Sequence, residues 1–367
     1  MHDTNILKSI SLEEAMQLQF NLVDKTTLFF NGRDILTLGD LGVEKTHNKP
    51  LTTYKVEQVI AAFFNVEMAL LVRGAGTGAL KEGISSIVKP GGTILVHDAP
   101  IYETTKYTFE YLNLKIVRCD FNNLDDIKRT IQTTEIDAAL IQHTRQTSTD
   151  AYNLETVIQT IKQLKDIPIV TDDNYAVMKS PKIGAQLGAE LSTFSVFKLL
   201  GPEGIGCVLG KKQYVDQIKK TMYSGGSQIQ GYEALETLRG LVYAPVSLAI
   251  QSTIVDEIVS KINTAVIKGI KQAFVANAQS KVIIVEFDSP IAPLVLEEAI
   301  KLGAASHPIG AESKYEFVPM FYRVSKTFLD SYKGNSNTLI RINPMRSGSD
   351  TVIRILKEAV RKVDSCI

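Results

Sequence analysis

The sequence predicts an α/β fold of two lobes, a large one built on a mostly parallel sheet and a smaller α+β lobe at the C-terminal end. Two observations carry this. Between Val66 and Val170, short apolar runs alternate with helix-period segments, the rhythm of βα units on a sheet covered on both faces. Within residues 191–210, two β-prone runs flank a Lys-Leu-Leu-Gly-Pro turn with no helix between them, which predicts an antiparallel pair. A chain of 367 residues also exceeds the roughly 250–300 at which single cores stop growing.

In chain order the large lobe reads MALLV, a helix at Thr77–Val88, TILVH, a helix at Ile101–Asn113, KIVRC, a helix at Leu124–Gln132, DAALIQ, a helix at Leu154–Leu164 and PIVTD. LSTFSV and GIGCVLG follow as the antiparallel pair. A helical stretch from Tyr232 to about Thr264, interrupted by Gly240 and Pro245, then leads out of the large lobe. Beyond it come KVIIVEF, a helix at Leu294–Leu302, a strand near Phe317–Arg323, the TLIRI run and a last helix at Asp350–Val363. The expected division is an N-terminal arm at 1–45 with a helix-like Leu12–Leu22, a large domain at 46–245 and a small one at 246–367.

Composition excludes several functions. Forty basic and forty acidic residues leave no overall field to recruit nucleic acid or an anionic membrane. No leader-like start and no run approaching the ~18 apolar residues of a transmembrane helix are evident, which predicts a cytoplasmic chain. Cys119, Cys207 and Cys366 form no CxxC, and the five histidines form no HxH or HExxH, so neither a disulfide framework nor a metal site is expected.

The segment Arg73-Gly74-Ala75-Gly76-Thr77-Gly78-Ala79 follows a strand and opens a helix, where backbone N–H groups and the helix dipole cradle a phosphate. It also fits a dinucleotide fingerprint, with Asp98 about 20 residues on as a ribose-binding acid, which keeps a nicotinamide-dependent oxidoreductase using Gly74–Ala79 in play. The plainer alternative is a tight turn that lets helix and strand pack closely. Further along, VTDDNYA ends a strand with Asp172 and Asp173, and TFSVFKLLGPEGIG sets Lys198 just before a Gly-Pro turn. A strand-end carboxylate can pair with a protonated pyridine nitrogen, and a lysine past a strand end can form an imine. Taken singly, each is more readily a capping acid or a solvated turn lysine.

In this order, the motifs resemble those of the fold-type I pyridoxal-phosphate enzymes, in the class V aminotransferase group and its selenocysteine-synthase-like branch. SVFKLLGPEGIG is similar to the family's Ser-x-His-Lys-x-x-Gly-Pro-x-Gly-x-Gly segment, with Asp172 lying 26 residues before Lys198. DLGVEKTHNKPLTTYKVEQVIAAFFNVEMALLVRGAGTGAL resembles the approach to the phosphate loop. The resemblance spans about residues 38–365. It implies a mostly parallel seven-stranded sheet in a three-layer αβα domain with a small α+β C-terminal domain, pyridoxal 5'-phosphate as cofactor, an amino-acid or keto-acid substrate, and a homodimer with its active site at the subunit interface.

Carried over by position, the resemblance makes Lys198 the Schiff-base lysine and proton shuttle and Asp172 the partner of the ring nitrogen. Gly76, Thr77 and Ser195 would hold the phosphate, and Tyr102 would stack on the ring. Tyr175 stands where relatives have a histidine near the ring oxygen, with Asp173 a neighbouring structural acid. His143 and Arg145 sit at a strand end that touches ring oxygen or substrate in relatives, although a strand-end histidine is often structural. Gly226 and Ser227, with Gly225, resemble the loop that reaches the neighbouring subunit's phosphate. Arg341 matches the clamp for a substrate carboxylate, suited by its planar fork, with Arg346 a second candidate. One departure is Phe197 in place of the histidine before the lysine, which argues against cysteine desulfurase chemistry, as does Cys366 being the nearest thing to a mobile-loop cysteine. Transamination is the favoured outcome, with a β-eliminating or ammonia-releasing lyase as the alternative.

Overall fold

The computed structural model describes residues 5–265, 267–278, 280–307, 312–325, 328–329, 332 and 334–365. Cys366 lies outside them. The chain folds as two units, one of Glu13–Thr144 and Tyr152–Pro245, the other of Met1–Leu12, Arg145–Ala151 and Val246–Ile367.

The first unit is built on a seven-stranded sheet of β1 (Met68–Arg73), β2 (Thr93–His97), β3 (Lys115–Cys119), β4 (Ala138–Gln142), β5 (Ile169–Asp172), β6 (Leu191–Ser195) and β7 (Ile205–Gly210). The strand order is β1-β7-β6-β5-β4-β2-β3, and β7 alone runs against the rest. The β6–β7 pair is the antiparallel one expected around the lysine turn, with Ser195 opposite Gly206. Because side chains alternate along a strand, each central strand feeds two cores. Ile94 and Val96 of β2 face one core and Leu95 the other; Leu140 and Ile141 of β4 divide in the same way.

Helices cover both faces. The first core takes in α3 (Ala75–Ile87), α4 (Glu103–Tyr111) and α7 (Lys212–Thr221), and the second takes in α5 (Leu124–Thr133) and α6 (Leu154–Leu164). In α6 the buried residues Leu154, Val157, Ile158 and Ile161 fall at the spacing of one helical face. The same helix starts at Asn153, whose side chain accepts from the Thr156 N–H at 3.0 Å. Two more helices, α1 (Leu12–Phe29) and α2 (Leu51–Phe64), precede β1. The first extends a full two turns past the expected Leu22.

One helix, α8 (Gly231–Thr264), starts in the first unit and ends in the second, with Pro245 inside it. The sequence predicts several helices over this stretch, yet the helix continues through the proline. A proline N–H is missing there and its ring crowds the preceding turn, which costs about 3 kcal/mol in a plain helix; flanking burial of Leu241, Ala244, Leu248 and Ala249 offsets it. Contrary to the expectation of no membrane-length segment, residues of Gly225–Thr264 are long and apolar enough to cross a membrane by length and composition. More than half of that window is buried inside the protein, as in a core helix.

The second unit holds a four-stranded antiparallel sheet of order β10-β11-β9-β8, from β8 (Ile270–Ala278), β9 (Ser280–Phe287), β10 (Met320–Arg323) and β11 (Leu339–Asn343). One face packs on α9 (Ala292–Lys301) and α10 (Ser349–Asp364) through Ile283, Val285, Ile340, Val295 and Leu356. Strand β8 was absent from the sequence expectation. Its run IKQAFVANA carries alanines where a strand normally shows branched side chains, and pairing with β9 is what makes it a strand.

Candidate active site

The glycine segment forms the seat of the site. β1 ends at Arg73, Gly74 adopts φ 93°, and α3 begins at once at Ala75. The helix therefore starts two residues before the expected Thr77, and the glycines themselves form its first turn. The N–H groups of Gly74 and Ala75 both donate to the Gly204 carbonyl, at 2.8 and 3.1 Å. This ties the phosphate-loop candidate to the turn that follows Lys198. Gly206 has to be glycine for that approach, since a Cβ there would lie 2.1 Å from the Ala75 carbonyl oxygen.

Asp172 is the last residue of β5, at the C-terminal edge of the parallel strands, where open α/β sheets place their ligands. Its Oδ1 accepts from the Asn174 backbone N–H at 3.0 Å and from the Asn174 amide at 2.8 Å. Burial pushes its carboxyl up to about 6, against the pull of the two Asn174 bonds; the charge of Asp173 adds to the rise and that of Lys198 opposes it. The Asn174 Oδ1 accepts from the Ser195 N–H at 2.9 Å. One amide thus bridges the strand-end acid and the end of β6, the strand that leads into the lysine's turn. Sequence reasoning passed over Asn174, and the only signal for it was its place two residues after Asp172.

Gly76 is buried against that same amide, and a Cβ on it would sit 2.7 Å from the Asn174 Nδ2. Glycine at 76 is therefore a spacing requirement between helix start and acid. Replacing it with alanine is expected to displace Asn174 and weaken cofactor binding by about tenfold, the scale of one lost hydrogen bond. A cofactor titration followed by absorbance measures this, and unchanged affinity would mean that Asn174 has no part in the seat.

Lys198 lies in the short 3-10 turn Val196–Leu199 directly after β6, half-buried, with Leu200 in the left-handed region. Its Nζ sits 4.6 Å from the centroid of the Tyr175 ring. Tyr175, at φ 63°, turns the chain back after Asp172, and the Lys179 Nζ also approaches its ring, at 5.3 Å. Thr77 is exposed at the start of α3, and its hydroxyl is 3.3 Å from that of Thr104 at the start of α4. Tyr102 occupies the N-cap position of α4 and is 59% exposed. Ser195 is buried.

His143 follows β4, and its backbone N–H donates to the Asp172 carbonyl at 2.9 Å. Its Nδ1 lies 2.7 Å from the Asp173 Oδ1, with both side chains buried. Asp173 also accepts from the Thr171 hydroxyl at 2.5 Å and the Gly184 N–H at 3.2 Å. The structural acid expected at 173 is thus the acceptor of a buried four-residue cluster.

Gly226 and Ser227 belong to the turn Gly225–Ser227, where the Ser227 hydroxyl donates to the Ser224 carbonyl at 2.6 Å. The next segment is fastened to the end of β1, since Arg73 bonds to the Gln228 carbonyl at 3.1 Å and to the Glu233 carboxylate. The remaining candidates belong to the second unit. Arg341 is on β11, 9% exposed, with its guanidinium 4.0 Å from the centroid of Tyr322. The Arg346 Nη1 donates to the Gln251 Oε1 at 2.5 Å, in a cluster where Gln251 also donates to the buried Glu312 at 2.8 Å. The Arg145 Nε donates to the Asn5 carbonyl at 3.2 Å. Cys119 and Cys207 are buried thiols; burial pushes that of Cys119 up to about 12 and also raises that of Cys207, which leaves both inert.

Helix start, strand-end acid and lysine, joined through Gly204 and Asn174, are a donor set that suits a phosphorylated pyridine aldehyde. Residues 41–247 match the family described as Aminotransferase class-V, and the chain belongs to that family of fold-type I pyridoxal-phosphate-dependent enzymes. Residues 256–356 match the family described as YhfS-like, C-terminal domain. The chain is 49% identical over 357 residues to the uncharacterized protein YhfS of Escherichia coli K12, covering 97% of this chain and 99% of that protein. The crystal structure of the pyridoxal-5'-phosphate-dependent protein YhfS from Escherichia coli superposes with a TM-score of 0.96 over 98% of this chain and 99% of that one, at 49% identity. At 15% identity, a carbon-sulfur lyase involved in aluminum resistance from Clostridium novyi shares the fold, with a TM-score of 0.72 over 96% of this chain and 91% of its own. The cofactor is pyridoxal 5'-phosphate, and the dinucleotide alternative for Gly74–Ala79 falls away.

Proposed function

We propose that this protein removes the Cα proton of an amino-acid substrate, with Lys198 as the residue that holds the cofactor aldehyde covalently and then acts as base. The observation that carries this reading is the joint placement of Lys198 and Asp172 on one sheet edge beside the Gly74–Gly78 turn. When bound, the cofactor supplies an electron sink that makes the Cα–H bond acidic. Each protein group has a separate task. The N–H groups of Gly76 and Thr77, with the Ser195 hydroxyl, seat the phosphate; Tyr102 covers the ring; Asp172 holds the ring nitrogen, with Asn174 fixing its rotamer. Lys198, once its amine is free, takes the Cα proton at Nζ. Arg341 clamps the substrate carboxylate, with Arg145 as a supporting contact.

Transamination needs one group that moves one proton between two carbons, and Lys198 suffices for it. Elimination needs a second proton delivered to the departing group. A carbon-sulfur lyase and a cystathionine gamma synthase among proteins of the same fold support that second reading.

A homodimer is part of the proposal. Leu36, Leu38, Leu41 and Tyr223 are 74–85% exposed, all in the first unit. Their segments are tied together by the Gly42 N–H to the Gln230 side chain at 2.8 Å and by the Asn48 amide to the Tyr223 carbonyl at 3.2 Å. An apolar surface of this kind suits a second copy of the chain, and Gly226 and Ser227, in the same stretch, would complete the partner's phosphate seat.

A screen of amino acids, amines and keto acids against the loaded enzyme tests the reading, with the visible absorption band as readout. A substrate is expected to shift the band, and Arg341→Ala to raise its KM by about tenfold or more with a smaller change in kcat, as for the loss of a charge-assisted pair. A screen in which no amino acid moves the band contradicts the reading.

A further inference from the structure

Arg341 makes a contact that its clamp role alone does not explain. Along β11, Ile340 and Ile342 turn into the core shared with α9 and α10, and Phe321 of β10 does the same. Strand alternation therefore puts Arg341 and Tyr322 on the opposite face of the sheet. The two are cross-strand partners in the β10–β11 ladder, and both are buried. The Arg341 guanidinium carbon lies over the Tyr322 ring, 4.0 Å from its centroid. That is the contact distance of two carbon atoms, about 4 Å, so the flat cation rests on the ring. Met320 and Met345 pack round the same tyrosine and hold the ring in place. Burial pushes the phenol up to about 12, against the pull of the Arg341 charge and with the charges of Glu312 and Glu316 adding to the rise. The ring is therefore uncharged through the neutral range.

Stacking and hydrogen bonding use different parts of a guanidinium. Its N–H donors lie in the plane and point outward, whereas an aromatic ring holds it by the face. A face contact restrains the plane without using a donor. A bidentate bond to a carboxylate needs that plane in one orientation, and a long arginine side chain gives up rotamers to reach it. We infer that Tyr322 is the positioning residue for the carboxylate clamp, its ring fixing the Arg341 fork in the orientation a substrate carboxylate meets, and so a determinant of selectivity for amino acids over amines. This inference rests on the reading of Arg341 given above and deepens it. The contact is worth about tenfold in preference for a carboxylate-bearing ligand, the scale of a desolvated cation–π pair.

Aminooxyacetate and O-methylhydroxylamine test it on the loaded enzyme. Both carry the same aminooxy nitrogen, and only the first has a carboxylate. Each displaces Lys198 from the cofactor aldehyde as an oxime, the new C=N bond forming to the reagent's nitrogen while the lysine amine is released, and the loss of the visible band gives the rate. The quantity read is the ratio of the two rate constants, which a general loss of folding or loading does not move. Arg341→Ala is expected to lower that ratio by about tenfold or more. Tyr322→Met and Tyr322→Leu, which fill the site without a ring face, are expected to lower it about tenfold. Tyr322→Phe, which keeps the face and drops the hydroxyl, should stay within about twofold of the wild type. A ratio unchanged in both aliphatic variants while Arg341→Ala lowers it overturns the positioning role and leaves the clamp standing. A loss in Tyr322→Phe as large as in the aliphatic variants overturns the stacking account, because the hydroxyl would then be the group that matters. A ratio unchanged in Arg341→Ala strikes the underlying clamp reading instead.

Discussion

Lys198→Ala is expected to lower turnover by about 10⁴-fold or more, the upper end of what one positioned acid–base group supplies, and to abolish the covalent attachment of the cofactor. Phosphate seating should survive, because the first turn of α3 and its tie to Gly204 do not involve the lysine side chain. The variant should therefore bind the cofactor without the visible band of the attached form. The comparison has a built-in competitor. Lys179 approaches the same Tyr175 ring at 5.3 Å, and a Lys198→Ala enzyme that keeps activity within about tenfold would transfer the role to it.

Asp172→Asn is expected to act in opposite directions on catalysis and on stability. Without a carboxylate at the ring nitrogen, turnover should fall by about 10²–10³-fold, as on loss of one preorganised electrostatic partner, while cofactor affinity changes less. In the cofactor-free protein the effect reverses. The Asp172 carboxyl stands at about 6 in the fold against 3.8 for an ordinary aspartate. A raised carboxyl means that the folded protein binds this proton more tightly than the unfolded chain does. Its contribution to stability is therefore present below about pH 4 and is lost as pH rises through 6. Asparagine can keep its oxygen toward the Asn174 donors and has no charge to bury. Denaturant unfolding of the cofactor-free proteins should find the two similar near pH 4 and the variant more stable by on the order of 2 kcal/mol at pH 7. A stability difference that does not change with pH would remove Asp172 from its buried setting.

The parts of the site legible in the sequence are those written locally. An apolar run, a glycine cluster and a helix start mark Gly74–Gly78 as an anion seat, and Lys198 is marked by two strands with a Gly-Pro turn between them. Asp172 is marked by its strand end. What stayed hidden depends on residues far apart in the chain. Asn174 matters because Ser195 and Gly76 meet it, and His143 acquires its partner thirty residues on. Asp173, expected as a structural acid, finds its acceptor role through the same distant partners, His143 and Gly184. The glycine helix begins earlier than its apolar period suggests, because Gly74 supplies the turn and no side-chain cap is needed. Strand β8 was missed since its alanines carry no strand signal until β9 lies beside them. At Pro245 a local breaker was overruled by burial on both sides.

Trapping the cofactor where it is attached tests the central claim most directly. The loaded protein is reduced with borohydride and digested, and the modified peptide is read by mass spectrometry. The expected result is a single pyridoxyl adduct on the lysine within SVFKLLGPEGIG, at position 198. An adduct on Lys179 or on any other lysine, or none at all, would contradict the account.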